Sequence, residues 1–225
     1  MQIAIISDIH DHVRVLDAVL TGLPENTDAL ICCGDLCSPF IIDQLAQAPK
    51  IRSTIHVVFG NNDGDLFRMT KNARKYDIGQ NRKVHLHGAF AELVVWENEL
   101  VDRETFERQH PNGFSLPALG GPRLAMNHYP QIATTAALSG QYDVVCYGHN
   151  HLYAESRQAI GGREVLLLNP GTLMGLSFSE GIRRSVPATF AVYDTDRARV
   201  IWYQARTETA QPISILSMTE SSEEH

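Results

Sequence analysis

Five short polar clusters carry the residues able to do chemistry: Asp8-Ile9-His10, Gly34-Asp35, Gly60-Asn61-Asn62-Asp63, Asn127-His128 and Gly148-His149-Asn150-His151. Their donors are carboxylate, imidazole and amide oxygen, a set that suits borderline-hard divalent ions such as Mn²⁺, Fe²⁺, Zn²⁺ or Ni²⁺. Asp8 and His10 are two apart, as are His149 and His151, a spacing that puts both side chains on one side of an extended segment. Taken singly, each cluster has an ordinary reading. Gly-Asn-Asn-Asp makes a good turn, and a lone histidine is more often a core or surface residue than a ligand. The glycines at 34, 60 and 148 allow sharp turns and close backbone approach.

What sets the clusters apart is what precedes them. Each follows an apolar run: IAIIS, ALICC, HVVF, RLAM and VVCY. In open α/β sheets ligands bind outside the carboxyl ends of the strands, so five strands running the same way would deliver all five clusters to one rim.

The runs alternate with helical spacing in the first half. Ile3–Ile6, Ala29–Cys33 and Ile55–Phe59 read as strands. Val13–Leu20, Phe40–Ala48 (stopped by Pro49) and Leu66–Lys75 read as helices. This βαβαβ order implies a mostly parallel sheet. The second half is richer in strands: Ala89–Trp96, Arg123–Asn127, Val144–Tyr147, a Leu152–Ile160/Arg163–Leu168 hairpin across Gly161-Gly162, and a hairpin of Phe190–Asp194 with Arg199–Tyr203. So many strands imply an α/β fold of two face-to-face sheets with helices outside. Residues 1–205 are expected to form one domain, and 206–225 a polar, mobile tail.

At 225 residues the chain suits one domain with a sizeable core. A net charge of −7 argues against long nucleic acids as partners, though not against a nucleotide. No apolar run approaches the roughly 20 residues of a membrane helix, and the start lacks the basic region of a signal peptide. Cys32, Cys33, Cys37 and Cys146 show no paired C-x-x-C spacing and read as reduced cysteines in an apolar core, which gives a cytoplasmic location by default.

The five motifs in order resemble the calcineurin-like metallophosphoesterase superfamily, whose pattern runs Asp-x-His, Gly-Asp, Gly-Asn-His-Asp/Glu, a lone His and Gly-His-x-His. The Ser7-Asp8-Ile9-His10 opening and Asn169-Pro170-Gly171-Thr172 look most like its compact bacterial and archaeal phosphodiesterase group. The resemblance implies a four-layer αββα sandwich of two packed mixed β-sheets flanked by helices. It implies a dinuclear centre in which Asp8, His10, Asp35 and His151 hold one ion and Asp35, Asn61, His128 and His149 the other, so that Asp35 bridges. Manganese is the foremost expectation, with iron, zinc or nickel as alternatives. Two such ions would make the pocket cationic inside an acidic protein, suiting a small phosphate ester. The implied reaction is hydrolysis of a phosphoric ester, a diester ahead of a monoester, by a metal-bridging hydroxide. Asp63 is expected to orient the site. His12 is a candidate proton donor, or else a non-catalytic neighbour. A monoesterase, a protein phosphatase, a nuclease and a non-catalytic scaffold like the superfamily's retromer subunit are the alternatives. The complete ligand set weighs against the scaffold.

Two departures from the pattern stand out. Asn62 occupies the position of the family's usual general-acid histidine, and an amide donates a hydrogen bond but supplies no proton at neutral pH. Tyr129-Pro130 follows His128 where the family often has glycine. Two segments also exceed the compact pattern. Glu97–Gly121 should begin on the rim opposite the metals, about 15–20 Å away by strand rise, which makes His110 unpromising for catalysis. Met174–Pro187 should lie on the metal rim, where Arg183 and Arg184 are either phosphate contacts or solvated loop residues.

Overall fold

A computed structural model describes residues 1–77, 83–110, 121–179, 181–207 and 212–218. The first half alternates as expected: β1 (Gln2–Ile6), α1 (Val13–Gly22), β2 (Ala29–Cys32), α2 (Phe40–Ala46), β3 (Ile55–Val57) and α3 (Leu66–Arg74), followed by a short β4 (Val84–Leu86). These four strands lie parallel and side by side. On the other flank of β1, β13 (Ala188–Asp194), β14 (Arg199–Arg206) and β15 (Ser214–Ser217) add on antiparallel, giving seven strands in the order β15-β14-β13-β1-β2-β3-β4.

The second sheet runs β6 (Glu99–Asp102), β5 (Phe90–Trp96), β7 (Arg123–Asn127), β8 (Val144–Cys146), β10 (Arg163–Asn169), β9 (Ala154–Ile160). Its central β7, β8 and β10 are parallel. Both sheets are thus mixed. Along β1, Ile3 and Ile5 face the second sheet while Ala4 and Ile6 face the helices. Burial on both faces is why this strand reads as a continuous apolar run. Helices α1–α3 cover the outer face of the first sheet. On the second, α4 (Arg103–Gln109) packs through Phe106 and α5 (Pro130–Leu138) through Ala133 and Ala137. The result is the expected αββα sandwich.

Gly161 and Gly162, at φ +57° and +80°, close the β9–β10 hairpin in the doubly left-handed turn that matches strand twist. The Glu97–Gly121 segment does begin on the rim opposite the ends of β7 and β8, since Phe90 pairs with Asn127 and β5 runs away from there to the turn at Glu97 and Asn98; residues 111–120 lie outside the described part. One expectation is corrected. Within the 206–225 segment, Ser214–Ser217 is a strand, paired to β14 with Ile215 packed on the helix-side core. Its alternation of exposed and half-buried residues suits an edge strand.

His56 on β3 is fully buried between the sheets. Its Nε2 lies 3.0 Å from the Leu100 carbonyl and its Nδ1 lies 2.9 Å from His87 Nε2. Burial first, then the neighbouring His85 and His87, hold its pKa well below the usual value. The folded imidazole stays neutral while the unfolded one protonates near pH ~6.5. This histidine therefore supports folding above that pH, and the support is lost as pH falls through it. His56→Gln is expected to flatten the acid side of the stability curve by up to about 1.4 kcal/mol per pH unit. Urea unfolding of both proteins at several pH values checks it, and parallel curves would contradict it.

Candidate metal centre

β1, β2, β3, β7 and β8 all end at one rim, and the five clusters follow their carboxyl ends. The local backbone is not extended. Asp8, His10, Asp35, His149 and His151 have φ of +53°, +45°, +55°, +77° and +62°, a left-handed region that costs non-glycine residues about 1–3 kcal/mol each. Tight left-handed turns, rather than strand alternation, bring the two-apart pairs together. The glycines make room for them. A Cβ on Gly60 would stand 2.2 Å from Asp35 Oδ1, and one on Gly148 would stand 2.0 Å from Ser7 Oγ and 2.6 Å from Asp8 Oδ2.

All seven predicted ligands converge. Donor atoms of Asp8, His10 and His151 lie within 4.8 Å of one another, as do those of Asp8, Asp35 and His128. Asp8 belongs to both groups. Asp35 Oδ2 stands between them, 3.5 Å from His10 Nε2 and 3.3 Å from His128 Nε2. Asn61 Oδ1 is 3.2 Å from His128 Nε2 and 3.0 Å from His149 Nδ1.

The tautomers make the case for a cation. His128 Nδ1 donates to the Cys33 carbonyl at 2.8 Å, and His151 Nδ1 donates to the Leu176 carbonyl. The Nε2 lone pairs of both rings are therefore aimed inward. His151 Nε2 then lies 3.2 Å from Asp8 Oδ1 and 3.1 Å from His10 Nε2. Asp8 Oδ1 is buried and, among the described residues, accepts no hydrogen bond. Lone pairs and buried carboxylate oxygens pointing at one another repel unless a cation lies among them. In its absence protons must serve. Burial works against charge on Asp8, yet contacts with His10, His151 and His128 hold it below the usual carboxylate range. Asp35 is likewise lowered against its burial by His128 and Asn62. Burial also opposes a proton on His128 and on His151, but the adjoining Asp35 and Asp8 raise both. The donor set fits divalent ions.

Neighbouring residues fix this arrangement. Asp63 accepts backbone N–H groups of Asp35, Leu36, Cys37 and Gly60 at 2.7–3.0 Å. It thereby clamps the loop of Asp35 to that of Asn61. Asn62 donates from its backbone N–H to Asp35 Oδ1 and from Nδ2 to Asp35 Oδ2, both at 2.8 Å. Asn169 donates to the Gly148 carbonyl, and Thr172 Oγ1 donates to the Asp8 carbonyl at 2.8 Å. The Asn-Pro-Gly-Thr stretch thus ties the first and last ligand loops together. The Leu176 carbonyl had no signal in the sequence, since any residue could supply it. Cys37 Sγ touches His10 Nδ1 at 3.4 Å. Burial and the surrounding carboxylates push its thiol up to about 12, so it remains protonated.

The other candidates lie outside the cage. His12 occupies the position before α1 without a side-chain capping bond, and among the described residues its buried Nδ1 has no hydrogen-bond partner. His110 stacks on Phe106 at the end of α4 and is not among the converging donors. Arg183 and Arg184 lie on β12 (Ile182–Ser185), which pairs with β11 (Leu176–Ser179) beside His151.

The calcineurin-like phosphoesterase superfamily domain matches residues 1–198. The chain belongs to that superfamily. With the family goes its chemistry, metal-dependent hydrolysis of phosphoric esters, for which this phosphoesterase has assembled its donors. It is similar to Phosphodiesterase MJ0936 of Methanocaldococcus jannaschii, 28% identical over 198 residues that cover 88% of this chain and 95% of the relative. A solved archaeal phosphodiesterase shares the fold at a TM-score of 0.62 and 24% identity, over 91% of this chain and 99% of that one. Vps29 of Chaetomium thermophilum shares it at 0.56 and 16%, over 96% and 95%. Among the described residues no helix is long and apolar enough to cross a membrane.

Proposed function

We propose that this phosphoesterase is a cytoplasmic dinuclear enzyme that cleaves small phosphodiesters, with residues 1–205 as its catalytic unit. The observation carrying the proposal is the inward aim of the His128 and His151 lone pairs toward the buried Asp8 and Asp35 carboxylates. Asp8, His10, Asp35 and His151 would hold one ion and Asp35, Asn61, His128 and His149 the other. The position of Asp35 Oδ2 between His10 and His128 supports its bridging role. Divalent ions there, manganese foremost, supply Lewis acidity and ionise water at neutral pH.

The chain's own residues fix the geometry. Asp63 keeps the loops of Asp35 and Asn61 in register, and Asn62 holds the Asp35 carboxylate against rotation. Asn62 can donate a hydrogen bond toward substrate but no proton, and His12 is the remaining candidate acid. The preference for diesters is supported by that missing acid and by the activity of the Methanocaldococcus relative.

Metal analysis with a substrate panel tests the proposal. Two ions per chain are expected, with bis-p-nitrophenyl phosphate cleaved in Mn²⁺ and cleavage lost in chelator. Absence of bound ions, with no gain in hydrolysis on adding Mn²⁺ or Ni²⁺, would sink it. Faster cleavage of monoesters or phosphoproteins would move the enzyme to those alternatives.

A further inference from the structure

The β11–β12 hairpin lies outside both sheets and stands at the metal rim, where its Leu176 carbonyl orients His151. Phe178, two residues on, puts its ring 6.4 Å from the His151 imidazole, centroid to centroid, with the planes at 80°. It is nevertheless 58% exposed. A large aromatic face left open beside a ligand imidazole is a surface for another flat ring. Phe178 pairs directly with Arg183 across the hairpin. Directly opposed residues of an antiparallel pair project from the same face. The Arg183 side chain therefore leaves the hairpin on the face that Phe178 presents to His151. Arg183 is exposed, and among the described residues no hydrogen bond or ion pair engages its guanidinium. Arg184, paired with the buried Ser177, projects from the opposite face.

We propose that Phe178 and Arg183 form a specificity platform. Phe178 takes a planar aromatic ester arm, aryl or nucleobase, and Arg183 takes an oxygen of the phosphoryl group. Its preferred substrates are then phosphodiesters with an aromatic arm. The inference rests on the phosphoesterase reading and adds which esters the site selects. The chemistry matches each residue: ring stacking contributes about 0.5–1.5 kcal/mol beyond area burial, and the guanidinium fork suits phosphoryl oxygens.

Two non-hydrolysable ligands separate the terms. Benzylphosphonate copies phenyl phosphate with a methylene in place of the ester oxygen, and ethylphosphonate carries the same head on an alkyl arm. Calorimetry on the Mn²⁺-loaded protein reads binding without needing turnover. Benzylphosphonate is expected to bind about 2- to 12-fold more tightly than ethylphosphonate, following the stacking range at 1.4 kcal/mol per tenfold. Phe178→Ala should erase that preference and leave ethylphosphonate within about twofold, since no charge changes. Arg183→Gln should weaken both ligands together by about tenfold. Melting temperature and metal content should stay at wild-type values in both variants, because neither side chain is buried. Equal binding of the two phosphonates by the wild type, or a benzyl preference that survives Phe178→Ala, overturns the platform and leaves the phosphoesterase reading standing. An unchanged affinity in Arg183→Gln removes Arg183 from it. If neither phosphonate binds the metal-loaded protein, the platform is overturned, and cleavage of bis-p-nitrophenyl phosphate by the same preparation leaves the phosphoesterase reading standing.

Discussion

Asp35→Asn is expected to lower kcat/KM on a nitrophenyl diester by about 10³-fold or more, at or above the upper end for loss of one electrostatic stabiliser, and to release metal from both halves of the centre. Asp35 Oδ2 lies 3.3 Å from His128 Nε2 and 3.5 Å from His10 Nε2, so one oxygen serves the two groups of donors. Asparagine keeps the shape, removes the charge, and can turn an NH₂ toward the lone pairs that the Asp35 carboxylate would share with a divalent ion. The Asn62 contacts, which need acceptor oxygens, would weaken with it. Metal content per chain and kinetics in excess Mn²⁺ check the expectation, with the melting temperature as a control for folding. Near-normal activity and two retained ions would overturn the bridging role. Asp8→Asn makes the comparison sharper, because Asp8, unlike Asp35, belongs to both donor groups. If Asp8→Asn releases both ions and Asp35→Asn only one, Asp8 is the bridge.

The candidate set was legible because each candidate follows a strand that the sequence marks strongly. IAII and VVC are buried strands with no polar interruption, so the first polar residue after them must stand at the sheet's edge. Short or compositionally neutral elements were not legible. α4 buries one residue, Phe106, and so shows no apolar repeat. α5 packs through alanines, which carry little amphipathic signal. β4 is three residues long, and His85 interrupts its two apolar residues. The two-apart spacing of Asp8/His10 and His149/His151 implied an extended backbone, whereas these four residues stand in left-handed conformations. The sequence also could not show that Asn62 holds Asp35, or that His151 is oriented by a main-chain carbonyl. The first contact depends on how a loop folds back, and the second on an atom that every residue has.

Asn62 carries the second large prediction. Where the family pattern has histidine, this chain places an amide whose Nδ2 is committed to Asp35 Oδ2 at 2.8 Å. Protonation of the leaving oxygen by a side chain contributes about 10² to 10⁴ in rate. Nitrophenolate leaves well without that help, whereas an alkoxide does not. A diester also presents one negative charge to the attacking oxygen, and an alkyl monoester dianion presents two. The wild type is therefore expected to cleave bis-p-nitrophenyl phosphate much faster than alkyl phosphomonoesters. Asn62→His is expected to raise the ratio of alkyl monoesterase to nitrophenyl diesterase activity by about 10²-fold, the lower end for a restored general acid. The ratio is the proper readout, because losing the Asn62–Asp35 hydrogen bond lowers both activities. The introduced imidazole, titrating near pH ~6.5, must be protonated to act. The gain on the alkyl ester should thus fade as pH rises above neutrality, while the nitrophenyl rate does not follow it. Paired kinetics over pH, wild type against variant, decide the matter. A wild type that already favours alkyl monoesters would mean that another acid, with His12 the first to test, protonates the leaving group. An unchanged ratio in the variant would mean that the ring at position 62 does not reach that oxygen.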